Sequence, residues 1–281
     1  MVPPSPTSRQ MPPSRDPPPA AGSAPKASAA IVVLAYGESP FLADCLNSLA
    51  AQVERTQILV ATSTPSGHIT QAAKAVGAEV KVNPTHRGIA ADWNFGLQAC
   101  DARYVTLAHQ DDVYAPDFVR HSQSALSGSP DAVLAFTGYQ EIDDAGAARS
   151  SRISRIKHLI ETVTLGRTRR VTGARLRLYL SFGNPLPCSS VTFDRSRLPG
   201  FAFSSDYSSN LDWDAWWRLM RAGGTFVRVP ERLVGRRHNV LTATARLIAD
   251  GTRRTEDLTM FRRAWPRPIA DAIALAYRAG Y

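Results

Sequence analysis

Tyr104-Val105-Thr106-Leu107-Ala108, followed at once by His109-Gln110-Asp111-Asp112 and Val113-Tyr114-Ala115-Pro116, is the stretch on which the reading of this chain turns. The apolar run predicts a buried strand. Two neighbouring carboxylates at its end are costly, because desolvating like charges side by side needs a cation or strong donors in compensation. A divalent metal gripping a diphosphate supplies that compensation, since hard oxygen ligands suit Mg²⁺ or Mn²⁺. The simpler alternative is an Asp pair capping the turn before Pro116.

Working outward, strands and helices alternate from Ala30. Ile31-Val32-Val33-Leu34 is a short β-branched run; Ser39-Pro40 then offers an N-cap and a first-position proline, and Phe41, Leu42, Cys45, Leu46 and Leu49 share one helical face. Gln57 to Val60 and Glu79 to Val82 predict further strands, with a helix through Ile69, Ala72, Ala73 and Val76 between them. Gly88 opens a helix to Cys100, Pro116 another to about Leu126, and Ala132 to Thr137 predicts a fifth strand. This alternation indicates an α/β, doubly wound, largely parallel sheet, whose ligands bind beyond the carboxyl ends of the strands. After Gly138 the pattern weakens, apart from a tryptophan-dense helix at Leu211 to Ala222, a strand at Thr225 to Val229 and a helix from Glu256. Arg236-Arg237-His238 falls on a polar segment beyond that last strand.

The formal net charge of +9 is mostly arginine, concentrated between Arg149 and Arg177, and basic excess attracts phosphate in any form. A solvated arginine-rich surface explains it equally well. Nine of the 20 prolines lie within Met1 to Pro25, so residues 1–29 read as a disordered tail rather than a secretory signal. Cys45, Cys100 and Cys188 are odd in number and widely spaced, which argues for a reducing, cytoplasmic setting and against structural zinc. No segment has the apolar length of a membrane span, which leaves peripheral contact.

The order of motifs resembles the large family 2 of inverting glycosyltransferases with the GT-A fold. The likeness rests on Val32 to Tyr36 with Cys45-Leu46, on Asn83 to Gly88 with Trp93 to Leu97, on Asp111-Asp112 with Pro116-Asp117-Phe118, on Leu211-Asp212-Trp213-Asp214, and on Arg237-His238 with Thr242. Three departures stand out. Ala61-Thr62-Ser63-Thr64 carries hydroxyls where the family usually has acids, His109 stands where Asp is common, and Leu211 replaces a usual Glu. The His-Gln-Asp-Asp variant is similar to a rhamnosyltransferase-like branch.

The resemblance implies a GT-A domain over 30–245, with a nucleotide-sugar half at 30–138, an acceptor half at 139–245 and a helical extension at 246–281. It implies metal-dependent transfer of a sugar from a UDP- or dTDP-linked donor to a hydroxyl on a glycan, lipid-linked intermediate or small natural product. Asp112 is the expected metal ligand, with His238 completing the shell, and Asp111 is expected on the ribose or donor sugar. Ala35, Tyr36 and Glu38 flank the nucleotide, Thr62 reaches a pyrimidine edge, and Arg87 and Asp92 reach base or ribose. Arg237, with Arg236, is expected at the departing phosphate, and Asp212 is the expected base, with Asp214 in reserve. Each has a plainer alternative: Asp212 as a helix cap, the tryptophans as core, His109 as a bonded core histidine, and His238, Arg87 and Asp92 as surface residues.

Competing classes fit less well. A nucleotidyltransferase acting on a sugar phosphate would want a glycine-rich loop after the first strand, where only Gly37 stands. A dinucleotide oxidoreductase lacks GxGxxG. A nucleic-acid module has only charge in its favour. An inactive relative that binds nucleotide sugar would keep the donor site without the base.

Overall fold

The computed structural model describes residues 28–85, 88–238 and 243–278. Its sheet runs, from one edge to the other, through Glu79–Val82, Gln57–Thr62, Ala29–Ala35, Tyr104–His109, Val191–Asp194, Ala132–Ile142, Thr225–Arg237 and Val113–Tyr114. The first four are β1 (Ala29–Ala35), β2 (Gln57–Thr62), β3 (Glu79–Val82) and β4 (Tyr104–His109), joined in parallel register. Beyond β4 the sheet becomes mixed: β8 (Val191–Asp194) lies antiparallel between β4 and β6 (Ala132–Ile142), and β9 (Thr225–Arg237) returns parallel to β6. Two short strands, β5 (Val113–Tyr114) and β7 (Arg170–Val171), add antiparallel to β9.

Side chains of β1 alternate between two cores, as a twofold period requires. Ala30 and Val32 join a core on one face, whereas Ala29, Ile31, Val33 and Ala35 join the core on the other. Helices α1 (Leu42–Ala50), α2 (Gly67–Ala75) and α4 (Phe118–Ser127) cover the second face. Helices α3 (Ile89–Gln98), α6 (Gly173–Leu180) and α7 (Leu211–Arg221) cover the first. They are joined there by α9 (Thr252–Ala264) and α10 (Arg267–Arg278), so the C-terminal helices share the core of α7. Two further helices are α5 (Arg152–Leu165) and α8 (Ala243–Ala249).

Several expectations shift. Helix α1 starts at Leu42 rather than Pro40, because Ser39 Oγ accepts the Phe41 N–H in a preceding turn. The fifth expected strand does not stop at Thr137, and the expected last strand does not stop at Val229. Both run on, because Pro230-Glu231 bulge out of β9 and the pairing resumes from Gly138 opposite Arg232. The extension places Arg236 and Arg237 inside β9, correcting the expected polar segment. The position-138 division therefore falls inside β6.

Gly138 makes this bulge possible. A Cβ there would stand 3.0 Å from the carbonyl oxygens of Pro230 and Glu231, which are backbone and cannot swing aside. Gly138→Ala should cost about 1–3 kcal/mol in urea denaturation, a typical overpacking penalty. An unchanged midpoint would show that the bulge is not tightly seated.

Candidate functional site

Strand order reverses between β1 and β4, with β2 and β3 on one side and the later strands on the other. Loops leaving such a switch point diverge and open a crevice beyond the strand ends. Here those loops are tied together. Tyr36 N–H donates to Gln110 Oε1 at 3.0 Å, and Gln110 Nε2 donates back to the Tyr36 carbonyl at 2.9 Å. Gly37 N–H donates to Thr64 Oγ1 at 2.7 Å, and Thr64 N–H to Thr62 Oγ1 at 3.0 Å. Ala35 and Thr62 are register partners at the strand ends. The Tyr36 ring is 60% exposed and Glu38 is exposed on the same loop, so both are open to a ligand.

Asp92, in the first turn of α3, accepts from Ser63 Oγ at 3.0 Å and from Asn83 Nδ2 at 2.8 Å. It closes the rim between β2 and β3 rather than standing as a surface residue. Arg87 and Thr242 lie outside the described residues.

The acidic pair sits on a tight turn that closes with Asp112 N–H donating to the His109 carbonyl. Asp111 is half-buried, whereas Asp112 is 2% exposed. Asp112 Oδ1 accepts the Arg237 backbone N–H at 3.0 Å. Its Oδ2 has no hydrogen-bond partner among the described residues, and neither have the buried His109 Nε2 and Ser189 Oγ. Burial, then the charge of Asp111, pushes the Asp112 carboxyl above its usual range, partly offset by His109, Ser189 and Arg236. A desolvated carboxylate whose second oxygen has no well-formed hydrogen bond suits a cation. Among the described residues, however, no three His, Cys, Asp or Glu side chains form a group that could hold one.

Arg237 takes a different place from the one expected. Its guanidinium is buried and points into the protein. Nε donates to the Asp111 carbonyl at 3.0 Å, Nη1 donates to the Asp143 and Asp144 carbonyls at 2.8 and 2.6 Å, and Nη2 lies 3.5 Å from Asp44. The Phe41 ring lies 4.3 Å from its Cζ. Arg236 is the half-buried neighbour, with Nη1 3.4 Å from His238 Nε2. His238 Nε2 is also 3.1 Å from Glu141 Oε1, so its imidazole is paired with that carboxylate. Burial opposes the charge of Glu141, but hydrogen bonds from His238 and Ser151 outweigh it and hold the carboxyl at about 2.

Asp212 lies in the first turn of α7 and is 9% exposed. Its charge reaches Cys188, at the start of the Cys188–Ser190 turn, while Asp112 feels Ser189 in the same turn. The strand end after Asp112 and the helix of Asp212 meet at this segment, where Tyr114 Oη donates to the Ser189 carbonyl at 3.0 Å and Trp216 Nε1 to the Leu186 carbonyl at 3.0 Å. Asp214 is committed elsewhere, to Arg218 at 2.8 Å and Arg263 at 2.6 Å. The tryptophans are core: Trp213, Trp216 and Trp217 are at most 2% exposed, and Trp213 and Trp216 donate their indole N–H to the Leu180 and Leu186 carbonyls. The three cysteines are free and buried.

Sequence reasoning missed Gln110, Glu141, Lys157 and Glu256. The Glu256 carboxylate accepts the N–H groups of Ser208, Ser209 and Asn210 at 2.7, 2.8 and 2.9 Å. It therefore fixes the turn from which α7 and Asp212 emerge.

The sheet and its crevice define an α/β protein of the GT-A class. Glycosyl transferase family 2 matches residues 30–186, and the chain belongs to that family. TarS of Staphylococcus aureus, solved as residues 1–349 with UDP-GlcNAc, is similar at 12% identity and TM-score 0.60 over 88% of this chain and 70% of that one. A Pyrobaculum calidifontis mannosyltransferase with GDP-Man and Mn²⁺ is similar at 15% identity and TM-score 0.60 over 91% and 72%. Glucosyl-3-phosphoglycerate synthase of Mycobacterium tuberculosis with Mn²⁺ and UDP-glucose is similar at 19% identity and TM-score 0.57 over 85% and 79%. At these identities the likeness is one of fold. No curated protein matches the chain.

Lys157, on α5, supplies a pH test of this cluster. Burial, then Arg236 and Arg253, pulls its ammonium down to about 7 from 10.5, while Glu141 and Asp212 pull the other way. The unfolded chain therefore holds the extra proton between those values, and this group's penalty on folding fades as pH rises through that window. Lys157→Met should be more stable than the wild type at pH 7 and below, and the two urea midpoints should converge toward pH ~10. Parallel curves at every pH would show a solvated lysine.

Proposed function

We propose that the chain is a metal-dependent inverting glycosyltransferase that moves a sugar from a UDP- or dTDP-linked donor to an acceptor hydroxyl. The observation that supports this reading is that the strand end carrying Asp112 and the helix carrying Asp212 bond to the same segment, Tyr114 Oη donating to the Ser189 carbonyl and Trp216 Nε1 to the Leu186 carbonyl. The donor would lie beyond β1, β2 and β4, with its base against the exposed Tyr36 ring and near Ala35, Glu38 and Thr62. Asp92 would line the ribose side, and Asp111 would bond the ribose or sugar.

The free Oδ2 of Asp112 fits Mn²⁺ or Mg²⁺, and His238 is the second protein ligand in this reading once its imidazole leaves Glu141. Such a cation supplies charge neutralisation on the leaving diphosphate. Both metals accept diphosphate oxygens and water as further ligands, so few protein ligands are required. Solved relatives of the same fold bind Mn²⁺ with nucleotide or nucleotide sugar, which supports this choice of cofactor.

Asp212 takes the proton from the acceptor hydroxyl as the oxygen attacks the anomeric carbon and the bond to the diphosphate breaks. Asp214 has both carboxylate oxygens in ion pairs, with Arg218 and Arg263, and so offers no free oxygen to an acceptor. Arg236 is the guanidinium for the departing phosphate, because Arg237 is already engaged within the protein. Attack from the face opposite the leaving group inverts the anomeric centre.

Asp212→Asn keeps the size of the side chain and removes its basicity. Transfer should fall by about 10²–10⁴-fold, the usual contribution of a general base, while donor affinity by calorimetry stays nearly unchanged. Retained transfer would exclude Asp212 as the base, and loss of donor binding as well would place it in the donor site.

A further inference from the structure

The arginine run between Arg149 and Arg177 is not used by the reaction proposed above. Most of it lies on or beside α5 and α6, and the inner side of α5 is anchored. His158 packs its ring 5.8 Å from Tyr139, Glu161 pairs with Arg228 at 2.7 Å, and Leu165 is buried. The outer side is apolar where a solvated helix would be polar. Ile156, Leu159 and Val163 are 46%, 63% and 76% exposed. Their spacing of three and four residues places them on one stripe, within about 60° of helix circumference at ~100° per residue. Leu178, on α6, adds a further apolar side chain at 44% exposure.

The charges that flank this stripe along the chain are basic, and the exposed acid Asp131 is paired with Arg170. Arg152 and Arg155 are exposed at the N-terminal end of α5, and Arg167 and Arg169 are exposed just past its C-terminal end. Between Asp144 and Asp194 the sole acidic residue is Glu161, whose carboxylate is held by Arg228. An apolar stripe framed by guanidinium groups matches the boundary of an anionic bilayer, where acyl chains meet phosphate. Nucleic acid would use the cations but gains nothing from exposed Ile, Leu and Val, and the stripe offers no aromatic ring for bases to stack on. A second copy of the chain would bring like charges together. Among the described residues no helix is long and apolar enough to cross a membrane, so contact through α5 would be in the plane of the surface.

We propose that the outer face of α5, with the arginines around it, docks this protein on an anionic lipid surface. The proposal stands apart from the transfer reaction, because docking is measured with no sugar nucleotide present.

The test is co-sedimentation of the full chain with vesicles of phosphatidylcholine alone or mixed with phosphatidylglycerol. Wild type should pellet with the mixed vesicles, far less with phosphatidylcholine alone, and less as salt rises. Leu159→Ser with Val163→Ser should weaken partitioning about tenfold while leaving the thermal midpoint in place, since both side chains are exposed. Arg167→Gln with Arg169→Gln should weaken it through charge. Three outcomes would overturn the proposal: no binding to either vesicle, wild-type binding by the Ser variant (charge alone), or self-association of the wild type that the Ser variant abolishes.

Discussion

A buried guanidinium, that of Arg237, holds the candidate site in shape. From the end of β9 it reaches the Asp111 carbonyl beside the acidic turn, the Asp143 and Asp144 carbonyls beyond β6, and Asp44 on α1. Its own backbone N–H occupies one oxygen of Asp112. A cation with 4% exposure is tolerable only with its donors used, and the planar fork of arginine can serve several acceptors at once where an ammonium is a compact point charge. Removing a partner from such a network costs about 3–5 kcal/mol in comparable buried pairs. The position of Asp112 and the path of the chain after β4 depend on this one residue, through its backbone N–H and its guanidinium respectively.

That anchoring leaves Asp112 half satisfied. One oxygen is bound and the other is buried with no hydrogen-bond partner among the described residues, beside a second carboxylate that resists its ionisation. The opposite arrangement holds the second acid. Asp212 stands on a helix whose start is fixed by Glu256, whose Asp214 is neutralised, and whose tryptophans are sealed in the core. The rigidity of α7 comes from residues far along the chain: α9 supplies Glu256, Arg263 and Phe261, the last edge-on to Trp213 at 5.2 Å. A helix so braced can present a base in one fixed place, as general-base chemistry requires.

Local signals made the first half of the fold legible. β-branched runs, a twofold alternation and turn residues located β1 through β4, and the acidic turn after β4 declared itself by the cost of its charges. The second half was less legible because its strands do not follow a local rule. β6 and β9 pass through a bulge whose logic needs Gly138 opposite Pro230-Glu231, residues more than ninety positions apart. The same long-range dependence hid the true setting of Arg237, since a guanidinium reads as a surface cation until its acceptors are known. Gln110 and Glu256 were invisible for a similar reason: a side chain that closes loops has no sequence period. Local pattern gave the helix start at Leu211, whereas the choice of Asp212 on it came from the resemblance at Leu211-Asp212-Trp213-Asp214.

In the proposed reaction the second oxygen of Asp112 receives a cation that carries the donor diphosphate. Calorimetric titration of UDP and dTDP into the full chain and into Asp112→Asn, each with and without Mn²⁺, tests it most directly. Tight nucleotide binding to the wild type only with Mn²⁺, and loss of that metal dependence in Asp112→Asn, is the result predicted. Metal-independent nucleotide binding of equal strength in both proteins would contradict it.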